Sequence, residues 1–102
     1  MRLRLIGVAS LLFVSSAHAQ SFNCRYARTP DEVTICEDAR LSALDEHLSR
    51  RFFRLRDSLY GSDRARLDSD QTIWLNARHR CGSNPACIAA SYRARIAELS
   101  GW

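Results

Sequence analysis

The chain has 102 residues, all 15 of its basic residues are arginine, and its formal net charge is +4. No internal repeat or low-complexity linker divides it, so the sequence predicts a single domain. Beyond the first 20 residues, no apolar run is long enough for a transmembrane helix, which argues against stable membrane insertion.

Residues 1–19 have the pattern of a cleaved secretory signal. Two arginines precede the apolar run Leu5 to Val14, and small residues lead to Ala19. This order is typical of an exported protein, and the run is too short to span a bilayer. No small-residue box precedes Cys24, which argues against a lipid anchor. We therefore expect a soluble, periplasmic protein whose mature chain runs from Gln20 to Trp102.

The arginines do not make the exported part strongly basic. Without the leader, 13 arginines face 11 acidic residues, a formal charge of +2. Acidic residues interleave with the arginines, and no aromatic stacking motif accompanies them, so we expect no nucleic-acid partner. A solvated surface is the favoured interpretation, with binding of an anionic wall or membrane component as the alternative. The cluster comprises Arg50, Arg51, Arg54, Arg56, Arg64 and Arg66.

Four cysteines in a small exported chain predict two disulfides. Four cysteines allow three pairings, and we favour Cys24 with Cys36 and Cys81 with Cys87 because each pair flanks one short segment. No C-x-x-C motif is present, which argues against a redox role. The cysteines and histidines lack the spacing of metal ligands, so we expect no metal and no cofactor.

Helix signals follow one another along the rest of the chain. Thr29 and Glu32 form a capping-box pattern that predicts a short helix from about Pro30 to Glu37. Asp38 then precedes an apolar stripe with spacings of three and four, which predicts a long amphipathic helix. The stripe consists of Leu41, Leu44, Leu48, Phe52, Leu55 and Leu59.

Two further helices complete the predicted fold. The turn from Tyr60 to Asp63 precedes a helix from about Asp63 to Arg80, and Asn84 with Pro85 starts the last helix. No strand pattern occurs in residues 20–102. We therefore predict an all-α, antiparallel bundle of three main helices plus a short N-terminal helix, with both disulfides at one end.

The stretch Gln71 to Cys81 supplies the centre of this bundle. Trp74 is expected in the core, where its indole buries a large apolar area, and Gln71 is expected to satisfy polar groups around it. Asp45 and Arg78 lie on helices that face each other. We expect them to pair and to fix the register of the bundle.

Five short motifs follow one another along the chain: Ser21-Phe22-Asn23-Cys24, Thr29-x-x-Glu32-x-x-Ile35-Cys36, Leu41-x-x-Leu44-Asp45-x-x-Leu48, Gln71-x-x-Trp74-Leu75-x-x-Arg78-x-x-Cys81 and Cys87-Ile88-x-x-x-Tyr92-x-x-Arg95-Ile96. Their order and spacing resemble the lysozyme inhibitor LprI-like N-terminal domain family. The resemblance covers nearly all of residues 20–102 and implies a small, exported, disulfide-bonded helical protein that binds and inhibits a lysozyme. Asn23, Phe52 and His79 differ from the residues usual in that family.

No set of side chains has the spacing of a catalytic site, so we expect a binding protein rather than an enzyme. The turn Gly82-Ser83-Asn84 is the first candidate contact surface, since its disulfide would lower the ordering cost on binding. Tyr60 and Asp63, at the other end, are the second. The alternative to a lysozyme inhibitor is a non-inhibitory periplasmic interaction or envelope-stress module; the sequence leaves the oligomeric state open.

Overall fold

A computed structural model describes residues 22–102, and the predicted signal segment, residues 1–19, lies outside them. The described part is all-α, with no strand, as predicted. A 3₁₀ turn at Cys24–Tyr26 precedes four helices: α1 Pro30–Glu37, α2 Ala39–Ser58, α3 Gly61–His79 and α4 Pro85–Ser100. None of the helices in residues 22–102 is both long and apolar enough to cross a membrane.

Local side-chain hydrogen bonds define three of the helix starts. The capping box of α1 is present, with the Thr29 hydroxyl accepting from the Glu32 backbone N–H and the Glu32 carboxylate accepting from the Thr29 N–H. The Asp38 carboxylate accepts from the first backbone N–H groups of α2. Asn84 caps α4 in the same way. These caps confirm the predicted boundaries, because each satisfies amides that a helix start leaves unpaired.

The start of α3 differs from the prediction. The helix begins at Gly61 rather than Asp63, and the preceding Tyr60 makes no side-chain cap hydrogen bond. Gly61 has a φ of 63°, a left-handed conformation that glycine adopts without the steric cost of a Cβ. Asp63 therefore lies in the first turn of α3, where a carboxylate complements the positive end of the helix dipole.

The core lies between α4 and its neighbours. Of the predicted α2 stripe, Leu41, Leu48 and Phe52 are buried, whereas the other three members pack only partly against the core. Trp74 is 9% exposed, as expected for a core indole. Ile73, although apolar, is 66% exposed because the buried face of α3 follows Leu67, Trp74 and Arg78. The other buried apolar side chains are Ile35, Ile88, Tyr92 and Leu99.

Cross-helix contacts give the helix directions. Asp45 contacts Tyr92 and Arg51 contacts Ser100. Because the residue numbers increase in the same direction along both helices, α2 runs parallel to α4. Gln71 contacts Arg95 and Arg78 contacts Tyr92, so α3 runs antiparallel to α4. The alternating directions of α2, α3 and α4 are therefore those predicted.

Both predicted disulfides are present. Cys24 is bonded to Cys36 and Cys81 to Cys87. The first turns of α2 and α4 line one cavity, which places the two bridges toward the same end of the bundle. The turn between α2 and α3 lies at the opposite end.

Candidate functional site

The Cys81–Cys87 bridge closes a short turn between α3 and α4. The two Cα atoms are 5.6 Å apart, and Gly82 has a φ of 58°, a left-handed conformation in which a side chain would be strained. Backbone amides of Cys81, Gly82 and Asn84 donate to carbonyls within the turn or at the end of α3. We call residues 81–87 the bridged turn. Its backbone is held by a covalent bond and by hydrogen bonds at once.

The predicted contact residues of the bridged turn differ in their availability. The Asn84 carboxamide oxygen accepts from the Cys87 backbone N–H at 3.1 Å, so its first role is to cap α4. Ser83 is exposed, and its hydroxyl makes no hydrogen bond within residues 22–102. Ser83 is therefore the member of the predicted set that can meet a partner without loss of an internal contact.

The surroundings of the bridged turn are basic. A cavity of about 480 Å³ lies beside it, between the first turns of α2 and α4. The charged side chains that line this cavity are Arg40 and Arg93. The turn lies between the C-terminal end of α3 and the N-terminal end of α4, so the two helix dipoles oppose each other and the basic character comes from the two arginines. A carboxylate-bearing partner surface complements this arrangement.

Tyr60 and Asp63, the second predicted contact pair, lie at the opposite end. Tyr60 is 86% exposed, the largest exposure among the large apolar side chains of the described residues. A carboxylate oxygen of Asp63 lies 3.9 Å from Arg66 Nη2, and both side chains are exposed. No disulfide closes this turn, so its side chains are less constrained than those of the bridged turn.

A buried polar network replaces the direct pair predicted between Asp45 and Arg78. Arg78 Nε donates to an Asp31 carboxylate oxygen at 2.7 Å. Arg78 Nη1 donates to the Tyr92 hydroxyl at 3.2 Å, and that hydroxyl donates to Asp45 at 2.7 Å. The prediction of a direct pair is therefore wrong in its geometry, because the Tyr92 hydroxyl lies between the two groups. The network nevertheless joins all four helices.

Burial and neighbouring groups shift the pKa values of two groups in this network. Burial alone would raise the pKa of Asp31, but hydrogen bonds from Thr29, Arg78 and His79 outweigh it, and the pKa lies below its usual value. Burial also raises the pKa of the Tyr92 hydroxyl, as does the neighbouring Asp45 carboxylate. Tyr92 therefore stays neutral at any physiological pH and can donate to Asp45.

Asp31 is the network residue that the sequence did not reveal. It lies in the first turn of α1, where an acidic residue is commonly exposed and complements the helix dipole, yet its side chain is 0% exposed. His79 Nδ1 lies 2.9 Å and 3.1 Å from its two oxygens, so an ionised Asp31 accepts from two residues of α3. Its place as the second residue of α1 can be read from the sequence. Its partners cannot, because they lie 47 and 48 residues further along the chain.

Gln71 and Trp74 have the structural roles predicted for them. The Gln71 carboxamide oxygen accepts from Arg95 Nε at 2.9 Å, which pairs one donor of a nearly buried guanidinium. Trp74 Nε1 donates to the Ser91 carbonyl oxygen at 3.0 Å. Both contacts connect α3 to α4, and each satisfies a polar group that burial would otherwise leave unpaired.

An apolar groove of about 280 Å³ opens between α2 and α3. Phe22, Phe52, Phe53 and Leu75 form its walls, and His79 lies at its edge. Phe53 is the most exposed of these apolar side chains, at 53%. The groove offers packing area for a partner but brings together no pair of groups in the geometry of a nucleophile and its base.

Within the described part of the chain, no group of three or more His, Cys, Asp or Glu side chains has the arrangement of a metal site. No protein-family model, curated protein or solved structure matches this chain.

Proposed function

We propose that this chain is an exported binding protein that inhibits a lysozyme by placing the bridged turn in the catalytic cleft. The observation that carries the proposal is a rigid, exposed, polar turn with basic surroundings. The sequence resemblance names lysozyme as the partner to test first. The two disulfides are compatible with an oxidising compartment outside the cytosol.

The chemistry of the cleft supports this choice of surface. A lysozyme cleaves its substrate between two carboxyl groups. The bridged turn contains no acidic residue. Arg40 and Arg93 add full charges beside the turn. The positive charges beside the turn attract it to a cleft that carries two carboxylates.

The rigidity of the turn supports tight binding. A loop that is ordered only on binding loses conformational freedom at that moment, at about 0.5–1.5 kcal/mol for each immobilised flexible side chain. Gly82 and Ser83 have little or no side-chain freedom to lose, and the disulfide fixes the backbone on both sides of them. The bridged turn is therefore better suited to insertion than the unbridged turn at Tyr60.

The proposal is tested by inhibition of a panel of lysozymes of different types by the oxidised protein. Ser83→Glu adds a negative charge at the tip of the bridged turn and should weaken inhibition at least tenfold. Ser62→Glu is the matched control, since Ser62 is an exposed serine at the opposite end. It should inhibit as the unchanged protein does, and both variants should melt at the same temperature as that protein.

Other outcomes decide against the proposal in different ways. Loss of inhibition in Ser62→Glu alone would move the contact to the Tyr60 turn. No inhibition of any lysozyme by folded, oxidised protein would contradict the inhibitor function. The alternative of a non-inhibitory envelope module would then be pursued by capture of its partner from a periplasmic extract.

A further inference from the structure

One face of α2 carries a row of basic side chains. His47, Arg50, Arg51 and Arg54 recur at helical spacing, within an arc of about 100° around the helix axis. They line a shallow depression of about 560 Å³ that reaches the end of α4. We call these four residues the arginine face.

The structure divides the arginine cluster of the sequence into two groups. Arg56 forms a two-point pair with Asp68, at 2.7 Å and 2.9 Å, and Arg66 lies 3.9 Å from Asp63. The Arg66 guanidinium also lies 4.3 Å from the ring centre of Trp102. Arg64, the third member of this half, donates to the Arg56 carbonyl oxygen at 3.2 Å. Each arginine of this half therefore has a partner within the protein.

The other half of the cluster forms no ion pair within the described residues. Arg50, Arg51 and Arg54 form no ion pair with any residue in positions 22–102, and Arg51 donates to the neutral hydroxyl of Ser100. Exposed arginines commonly find carboxylates at helical spacing, as Arg66 does here. Glu46 and Asp57 lie at helical spacing from Arg50 and Arg54 but form no ion pair with them. Three neighbouring guanidiniums without an ion-paired carboxylate form a local positive potential, which attracts anions from solution.

The layout of the face indicates the kind of anion. Residues four apart on a helix are separated by about 6 Å along its axis, so the charges form a row rather than one converging pocket. Guanidinium groups bind phosphate through two parallel hydrogen bonds. The arginine face contains no phenylalanine, tyrosine or tryptophan on which a nucleic-acid base would stack. We infer that it binds a linear polyanion with repeated phosphate groups along α2.

Inorganic polyphosphate is the direct probe, because it is a linear phosphate polymer without bases or lipid. Binding to the oxidised protein is measured by calorimetry at a series of salt concentrations. Each phosphate contact on a single-stranded nucleic acid contributes about −0.7 to the slope of log affinity against log salt concentration, and we use this value for polyphosphate. Three arginine contacts therefore predict a slope of about −2.

The variant Arg50→Gln/Arg51→Gln/Arg54→Gln should lose at least tenfold in affinity, and its slope should approach zero. The matched control is Arg25→Gln/Arg28→Gln/Arg80→Gln, which removes three exposed arginines elsewhere and gives the same net charge. The control should keep its affinity within about threefold. Replacement of the three face arginines by lysine, which keeps the charge, should restore much of the binding.

Equal losses in the two glutamine variants would overturn the inference, because net charge alone would then explain binding. Absence of saturable polyphosphate binding at low salt would also overturn it. Vesicles containing phosphatidylglycerol form the last arm: binding to vesicles but not to polyphosphate would mean a membrane surface instead of a linear polymer. None of these measurements involves a lysozyme, so their outcome is independent of the proposed inhibition.

Discussion

The neighbouring acidic residues Asp31 and Glu32 have different roles in the fold. Glu32 closes the capping box of α1 through backbone contacts three residues apart. Asp31 is fully buried and accepts from Arg78 and His79 on α3. A buried charged side chain is tolerated only with a well-placed partner. Arg78 and Asp31 therefore depend on each other for their buried positions.

Asp31→Asn should destabilise the protein by about 3–5 kcal/mol at neutral pH, because it leaves the buried Arg78 guanidinium without its counter-ion. The measurement is urea denaturation of the oxidised protein. Asp63→Asn is the control: its carboxylate faces Arg66 at an exposed site, and its loss should cost less than about 1 kcal/mol. Equal costs for the two variants would contradict the structural role of the buried pair.

The same variant tests the pH dependence of stability. Because the pKa of Asp31 is lower in the folded chain than in the unfolded chain, its contribution is fully present above the unfolded pKa of about 3.9. That contribution is lost as the pH falls through the folded value. The unchanged protein should therefore lose stability more steeply below about pH 4 than Asp31→Asn does. Parallel curves for the two proteins would show that Asp31 does not supply this dependence.

At the scale of elements, the sequence was a good guide to local interactions and a poor one to distant interactions. The caps at Thr29, Asp38 and Asn84 were predicted correctly, because each requires only residues two or three positions away. The partner of Arg78 was not, because several acidic residues are equally available in sequence and only packing selects Asp31. The exposure of Ile73 likewise depends on which face of α3 meets α4.

The cap of α4 gives a prediction at this scale. Asn84→Ala removes the side-chain oxygen that accepts from the Cys87 amide and should cost about 1 kcal/mol of stability. Asn84→Asp keeps an acceptor at the same place and should cost much less. Thermal unfolding of the two variants is the measurement. An equal loss in both would mean that the amide nitrogen of Asn84, rather than its oxygen, supports the bridged turn.

For the whole molecule, the two ends of the bundle are held by different interactions. Both disulfides lie toward the end that includes the bridged turn. At the other end, the Arg56–Asp68 pair connects α2 to α3, and both side chains are partly exposed. Exposed ion pairs contribute little because water and salt screen them. The proposed lysozyme contact thus lies at the covalently held end, where insertion requires the least ordering.

The disulfides should contribute unequally to the stability of the whole chain. In the chain-entropy description, a bridge stabilises by restricting the unfolded chain, and the restriction grows with the length of the closed loop. The sequence separation is 12 for Cys24–Cys36 and 6 for Cys81–Cys87. Replacement of both cysteines by alanine should therefore cost about 3 kcal/mol at the first bridge and about 2 kcal/mol at the second. Urea denaturation measures both losses, and a greater loss at the shorter loop would mean that the bridged turn stabilises the folded bundle directly.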